Sequence, residues 1–209
     1  MTDNKKHDFK DITGIILAGG RAQRMSGQDK GLLPVFGQTM IKLVIVQLEP
    51  QVKTIIINAN RNIEKYQQYN YPVISDHDSK NFHGPLAGML STMLSSNTKY
   101  ILTAPCDSPF IPTDYSSRML SALLEHQADI CVVHDGHRMQ PVFALIKTRL
   151  ADSLQHFLDK GDRKIDLWYS QHKTQLVDFS DCDNLSININ TPDELAKLEQ
   201  LFSERKQAC

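Results

Sequence analysis

The stretch Ile15–Pro34, IILAGGRAQRMSGQDKGLLP, decides how the rest of the chain is read. It begins as an apolar run, breaks at Gly19-Gly20 and continues through the cations Arg21, Arg24 and Lys30. Between Ala18 and Leu32 the apolar residues are Ala22 and Met25. A buried strand that stops at paired glycines and is followed by cations is a place to hold phosphates. Glycine lets backbone N–H groups approach an anion closely, and the cations offset its charge. Taken alone, a solvated loop with scattered cations competes with that reading. The Walker A pattern is absent, because Lys30 precedes Gly31 and no Gly-Lys-Ser/Thr follows. The dinucleotide fingerprint G-x-G-x-x-G is absent too, so neither a P-loop kinase nor a standard dehydrogenase is supported.

Working outward, 209 residues allow one sizeable core, and the expectation is a single domain over 1–209 with disordered tails at 1–11 and 204–209. A net charge of −1 gives no bulk attraction to nucleic acid or to an anionic membrane, so any basic site is local. The cysteines Cys106, Cys131, Cys182 and Cys209 form no Cys-x-x-Cys pair and no zinc spacing, which suits reduced thiols in a cytoplasmic protein. His134 and His137 come nearest to ligand spacing, but without other soft ligands nearby a polar turn is the better reading. The N-terminus lacks a signal-peptide core, and no run reaches the ~18 apolar residues of a membrane span.

Strand and helix signals alternate along the chain. Thr13–Leu17, Lys53–Ile57, Pro72–Ile74, Tyr100–Ala104, Ile130–Val133 and Thr174–Phe179 read as strands, the first rich in Ile as in a parallel sheet buried on both faces. The segment from Gly20 to Gly37 reads as one long functional loop. Thr39 is expected to cap a helix carrying Ile41, Val44, Ile45 and Leu48. Further helices are expected around Ile63–Tyr69, after Gly84-Pro85, after Thr113 and Asp114, and from Leu150 to Leu158; Ile165–Tyr169 stays ambiguous. Asp135-Gly136 signals a two-residue hairpin leading into a strand over Val142–Ile146, an antiparallel member of the sheet. Thr191-Pro192-Asp193-Glu194 reads as a capping box opening a last helix. The pattern predicts an α/β fold: a Rossmann-like domain with a mostly parallel central sheet, one antiparallel strand, and helices on both faces.

In such sheets ligands bind beyond the C-terminal ends of the strands. Those ends here carry Gly19-Gly20, Asn58, Asp76 and Asp107, and their convergence on one edge outweighs any one motif. Arg24 and Lys30 add positive charge for a triphosphate. Asp107, between Pro105 and Pro109, suits a Mg²⁺ ligand acting with phosphate oxygens, or else a turn-forming aspartate. Asp78 competes with Asp76, and Asn60 competes with Asn58. Arg138 is a candidate for a second anionic substrate, with a solvated turn as the alternative. Asn188 and Asn190 precede a helix N-terminus, which favours anions. Cys106 reads as a small buried apolar residue rather than a nucleophile.

Leu17-Ala-Gly-Gly-Arg-x-x-Arg24-Met25, with Asp29-Lys30 following, resembles the nucleotidyltransferase signature in its LAGG form. Together with Asn58-Ala-Asn-Arg, Gly84-Pro-Leu-Ala-Gly-Met, Pro105-Cys-Asp-x-Pro, Val133-His-Asp-Gly and Asn188-x-Asn-Thr-Pro-Asp-Glu-Leu, it makes the chain similar to the MobA family, bacterial molybdenum cofactor guanylyltransferases. The resemblance implies GMP transfer from GTP to the terminal phosphate of molybdenum-molybdopterin. It also implies Mg²⁺ as cofactor and exchange with cofactor-synthesis and molybdoenzyme-maturation proteins. By position, Leu17, Ala18 and Gly19 are expected to meet GTP through backbone groups, and Lys30 and Arg24 its phosphates. Asn58 and Asp76 are expected on the guanosine, and Asp107 on the metal. Competing readings are the cytidylyltransferase paralogue, a sugar-phosphate nucleotidyltransferase, and a GTP-binding carrier without turnover. Where the family often has Gly after the Arg-Met pair, this chain has Ser26.

Overall fold

The structure, a computed structural model, describes residues 9–19, 29–35, 37–76, 84–182 and the positions 184, 185, 187 and 194. Strand β1 (Ile12–Leu17) leads to a 3-10 turn over Lys30–Leu32 and a small hairpin of β2 (Pro34–Val35) and β3 (Gln38–Thr39). There follow α1 (Met40–Leu48), β4 (Thr54–Asn58), α2 (Ile63–Gln67), β5 (Val73–Ile74), α3 (Pro85–Ser95) and β6 (Tyr100–Pro105). Then come α4 (Tyr115–Glu125), β7 (Ile130–His134), β8 (Met139–Lys147), α5 (Ala151–Asp159), α6 (Ile165–Tyr169) and β9 (Thr174–Asp178).

Among the described residues, seven strands form one sheet in the order β5-β4-β1-β6-β8-β7-β9. All neighbours pair in parallel except β8, which runs antiparallel to both β6 and β7. Strand residues alternate between two cores because successive side chains leave a strand on opposite faces. Ile12, Ile16, Leu102, Ala104, Cys131, Val133, Phe143 and Leu145 pack with α1 and α4. Ile101, Ile130, Val132, Ala144 and Ile146 pack with α3, α5 and α6. Burial on both faces is why these strands read as continuous apolar runs. Helix α1 buries Met40, Ile41, Val44, Ile45 and Leu48, a stripe of helical period, against that first face. Its approach to β1 is close: a Cβ on Gly14 would lie 3.0 Å from Leu48 Cδ2.

The predicted architecture is present, with local corrections. The expected long loop from Gly20 to Gly37 contains the 3-10 turn and β2, so its second half is structured; residues 20–28 lie outside the description. Thr39 stands at the N-cap position of α1, yet its hydroxyl bonds the Tyr69 hydroxyl at 2.5 Å instead of capping. Tertiary contact outbids the local cap. Asp114 is likewise the N-cap residue of α4 without a side-chain cap bond, and its carboxylate lies 3.6 Å from Arg118. The β7–β8 connection is a four-residue loop rather than a two-residue turn, since His134 pairs with Met139. Asp135 closes it by accepting the backbone N–H groups of His137 and Arg138 at 2.9 and 2.8 Å, as aspartate does in turns. The ambiguous stretch Ile165–Tyr169 is helical, because Trp168 and Tyr169 are buried against α5 and β8. The expected capping box at Thr191 lies outside the described residues, apart from a helical Glu194.

Candidate functional site

The parallel block β5-β4-β1-β6 brings four strand ends side by side, and the polar residues found in sequence sit there. Leu17 at the end of β1 is in register with Asn58 on β4 and with Pro105 on β6. Leu17, Gly19, Asn58, Asp76, Gly84, Pro85, Pro105 and Val142 line an open cleft of about 200 Å³. The cleft therefore lies over the C-terminal ends of the strands, bounded on one side by the start of α3 and on the other by β8.

Asn58 and Asp76 form one buried cluster, joined by Asn60. Asn58 Nδ2 donates to Asp76 Oδ1 at 3.0 Å, and Asn60 Nδ2 donates to Asp76 Oδ2 at 2.7 Å. The backbone N–H of Asp76 returns a bond to Asn60 Oδ1 at 2.9 Å. Both carboxylate oxygens are thus held by amides, which compensates a charge that burial would otherwise make costly. Asn58 and Asn60 are partners here rather than alternatives. The space is set from above by α3: a Cβ on Gly88 would stand 2.3 Å from Asn58 Oδ1 and 2.7 Å from Leu17 Cδ2. Glycine at that point lets the helix start press against the strand ends.

Two residues past Pro105, Asp107 meets Lys30. Lys30 Nζ lies 2.9 Å from Asp107 Oδ2, with both side chains about one-fifth to one-quarter exposed (24% and 19%). The turn that carries Asp107 is secured by α1. Gln47 donates to the Pro109 carbonyl and accepts from the Ile111 N–H at 3.0 Å. One helical turn on, the buried Gln51 donates to the Pro112 carbonyl at 2.8 Å and accepts from the Ser116 N–H at 3.0 Å. Neither glutamine stood out in sequence; Gln47 lies on α1 and Gln51 on the 3-10 turn Glu49–Gln51 that continues it, and their spacing of four residues was the available signal.

The other expected site residues fall as follows. Gly19 and Leu17 line the cleft, whereas the Ala18 side chain is buried in the α1–α4 core and its N–H bonds the Asn58 carbonyl at 2.8 Å. Arg24, Gly20, Arg21, Asp78, Asn188 and Asn190 lie outside the described residues. Arg138 is exposed on the β7–β8 loop and does not line the cleft. Cys106 is buried in the α1–α4 core, against Gly31. Burial, then the nearby carboxylates of Asp107 and Asp29, push its thiol well above the usual range, as befits a packing residue. Sequence reading assigned no role to Asp29, which proves to be a buried carboxylate directly before Lys30.

Among the described residues no group of three or more His, Cys, Asp and Glu is placed to hold a metal ion. A single carboxylate at Asp107 suits a hard cation that brings most of its oxygen ligands with a nucleotide. The arrangement is therefore a largely apolar cleft with the amide–carboxylate cluster of Asn58 and Asp76 in its lining, and a separate Lys30–Asp107 pair two residues past Pro105.

Comparison with known proteins agrees. Residues 14–175 match the model of the MobA-like NTP transferase domain. A molybdenum cofactor guanylyltransferase of Shewanella sediminis is 48% identical over 193 residues, covering 92% of this chain and 98% of that protein. One from Shewanella frigidimarina is 50% identical over 187 residues, covering 90% and 95%. Among solved structures, molybdopterin-guanine dinucleotide biosynthesis protein A of Archaeoglobus fulgidus superposes with a TM-score of 0.76. It is 19% identical and covers 92% of this chain and 99% of that one, a likeness of fold.

Proposed function

The chain belongs to the MobA-like NTP transferase family, and from that premise we propose that it transfers GMP from GTP to the terminal phosphate of molybdenum-bound molybdopterin. The products are molybdopterin guanine dinucleotide and pyrophosphate. The observation that carries the reading is the Lys30–Asp107 pair at the strand ends, beside a cleft floored by Asn58 and Asp76.

A phosphate oxygen of the acceptor attacks the α-phosphorus of GTP in line. A new P–O bond forms, the bond from the α-phosphorus to the bridging oxygen breaks, and the electron pair leaves with pyrophosphate. The acceptor phosphate is already ionised at pH 7, so no protein nucleophile and no strong base is required. The difficulty is to bring two anions together. Lys30, held at this point by its pair with Asp107, offsets the charge that builds on the phosphates. Asn58 and Asp76, held rigid by Asn60, orient the guanosine part, and the glycine-lined edge at Gly19 admits the phosphates. Asp107 would hold Mg²⁺ with phosphate oxygens of the nucleotide; when bound, the ion withdraws charge from the transferring phosphoryl group. Arg24 is assigned to the phosphates by its signature position.

No helix among the described residues is long and apolar enough to cross a membrane; the proposed setting is the cytoplasm, on the cysteine spacing that suits reduced thiols. The enzyme would hand its product to molybdoenzyme-maturation proteins. The test is pyrophosphate release from GTP, Mg²⁺ and molybdopterin. Release with GTP and little with CTP is expected; the reverse preference identifies a cytidylyltransferase, and no release with either supports a carrier. Lys30→Ala is expected to slow turnover ~10²–10³-fold, as when other transition-state donors are removed.

A further inference from the structure

Asp29 is 8% exposed and accepts three hydrogen bonds. Tyr66 Oη donates to its Oδ1 at 2.5 Å, and the Gly31 N–H donates to the same oxygen at 3.3 Å. Asn62 Nδ2 donates to Oδ2 at 3.1 Å. Asn62 and Tyr66 both come from α2 and its N-cap, one helical turn apart, and are far from Asp29 in sequence.

Three details show that the contact is built. Asn62 occupies the N-cap of α2 with a left-handed backbone (φ 51°), yet makes no side-chain cap bond; its amide is spent on Asp29. Tyr66 is fully buried, and a Cβ on Gly31 would lie 2.7 Å from its hydroxyl. Glycine at position 31 is what lets the hydroxyl reach the carboxylate. Burial in the first place, then the neighbouring Cys106 and the bond to Asp29, push the Tyr66 hydroxyl far above its ordinary pKa, so it stays a donor. A short O–H···O⁻ bond in a site closed to water is among the stronger anchors available to a loop.

We propose that Tyr66 and Asn62 are positioning residues for nucleotidyl transfer: by clamping Asp29 they fix the backbone of residues 29–31 and so aim the Lys30 ammonium at Asp107 and the phosphate end of the cleft. The proposal rests on the role given to Lys30 above. Asp29 opens the 3-10 turn Lys30–Leu32, so a tilt of its carboxylate turns the first residue of that element, which is Lys30. Misplacing a charged group by about 1 Å costs up to ~10²-fold in rate while leaving remote binding intact.

The test uses Tyr66→Phe, which removes the hydroxyl, and Asn62→Gly, which removes the amide and keeps the left-handed backbone without strain. Each is expected to lower kcat roughly 10-fold with KM for GTP within about 2-fold. In a Lys30→Ala background Tyr66→Phe is expected to change nothing further, because it acts through Lys30. A second measurement is independent of turnover. Cys106 lies behind Gly31, whose Cβ would be 3.4 Å from the thiol sulfur, so both variants are expected to speed maleimide labelling of Cys106, read by peptide mass spectrometry well below each variant's own Tm. Labelling at the parent rate in both variants overturns the clamp, whatever the activity. So does a parental kcat in both while Lys30→Ala is slow, or an equal loss from Tyr66→Phe with and without Lys30. Lys30→Ala at the parent rate overturns the premise, and with it the aim of the clamp, while the labelling result still reports whether the loop is held.

Discussion

Gly88 shows how a single residue sets the packing of the cleft against Asn58. Glycine inside a helix costs roughly 1 kcal/mol against alanine, so propensity alone says that Gly88→Ala stabilises α3. The structure says otherwise, because the added methyl would fall 2.3 Å from Asn58 Oδ1 and 2.7 Å from Asn58 Cγ. Asn58 is 2% exposed and pinned by Asp76, so it cannot step aside cheaply. Gly88→Ala is expected to raise KM for GTP about 10-fold or more, by an amount like that of losing a buried polar contact, without raising Tm. A higher Tm with an unchanged KM would show that the helix start is looser than the packing implies. At this scale the sequence singled out Asn58, Asp76 and Asp107, because strand-end polar residues are visible as breaks in apolar runs, and the structure joins Asn58 to Asp76 and Lys30 to Asp107. The sequence assigned no role to Asp29, Tyr66 and Gln51, which stand in polar or mixed stretches and gain meaning through partners far along the chain.

The elements that frame the second core carry a pH response. His172, just after α6, places Nε2 3.0 Å from Ser153 Oγ on α5, and Trp168 Nε1 donates to the same oxygen at 3.3 Å. Its ring stands edge-on to Trp168, with centroids 5.2 Å apart. Burial pushes the His172 pKa below its ordinary value; the Asp129 carboxylate opposes that shift, and Arg149 adds to it. The folded protein therefore takes up this proton less readily than the unfolded chain. Its contribution to stability is whole above about pH 6.5, the unfolded value, and is lost as pH falls through the lower folded value. Between pH 7.5 and 5.5 the parent is expected to lose more Tm than His172→Asn, measured in matched buffers; parallel losses would exclude His172 as the source. Element existence was legible here: α5 and β9 were read from periodicity. Only the one-and-a-half turns of α6 stayed ambiguous, since a short apolar run has the same appearance in a helix and in a strand.

For the whole molecule, the order β5-β4-β1-β6-β8-β7-β9 places β1 and β6 in the middle and the two-residue β5 and the half-exposed β9 at the edges. Opening free energy rises from edges to a doubly covered centre. Amide hydrogen exchange is expected to be slowest in β1 and β6 and fastest in β5 and β9, and a protected β9 would mean that its outer edge is covered in solution. The alternation of strand and helix, the parallel block and the end of β1 ahead of Gly19 followed from sequence by itself, because hydrophobic period, glycine breaks and turn chemistry act within a few residues. The tertiary structure decided the insertion of β8 between β6 and β7, the joining of Asn58 and Asn60 on one carboxylate, and the clamp behind Lys30. It also decided that Lys30 faces Asp107, 77 positions away. Such pairings depend on which surfaces pack together, and no local window of sequence contains both partners.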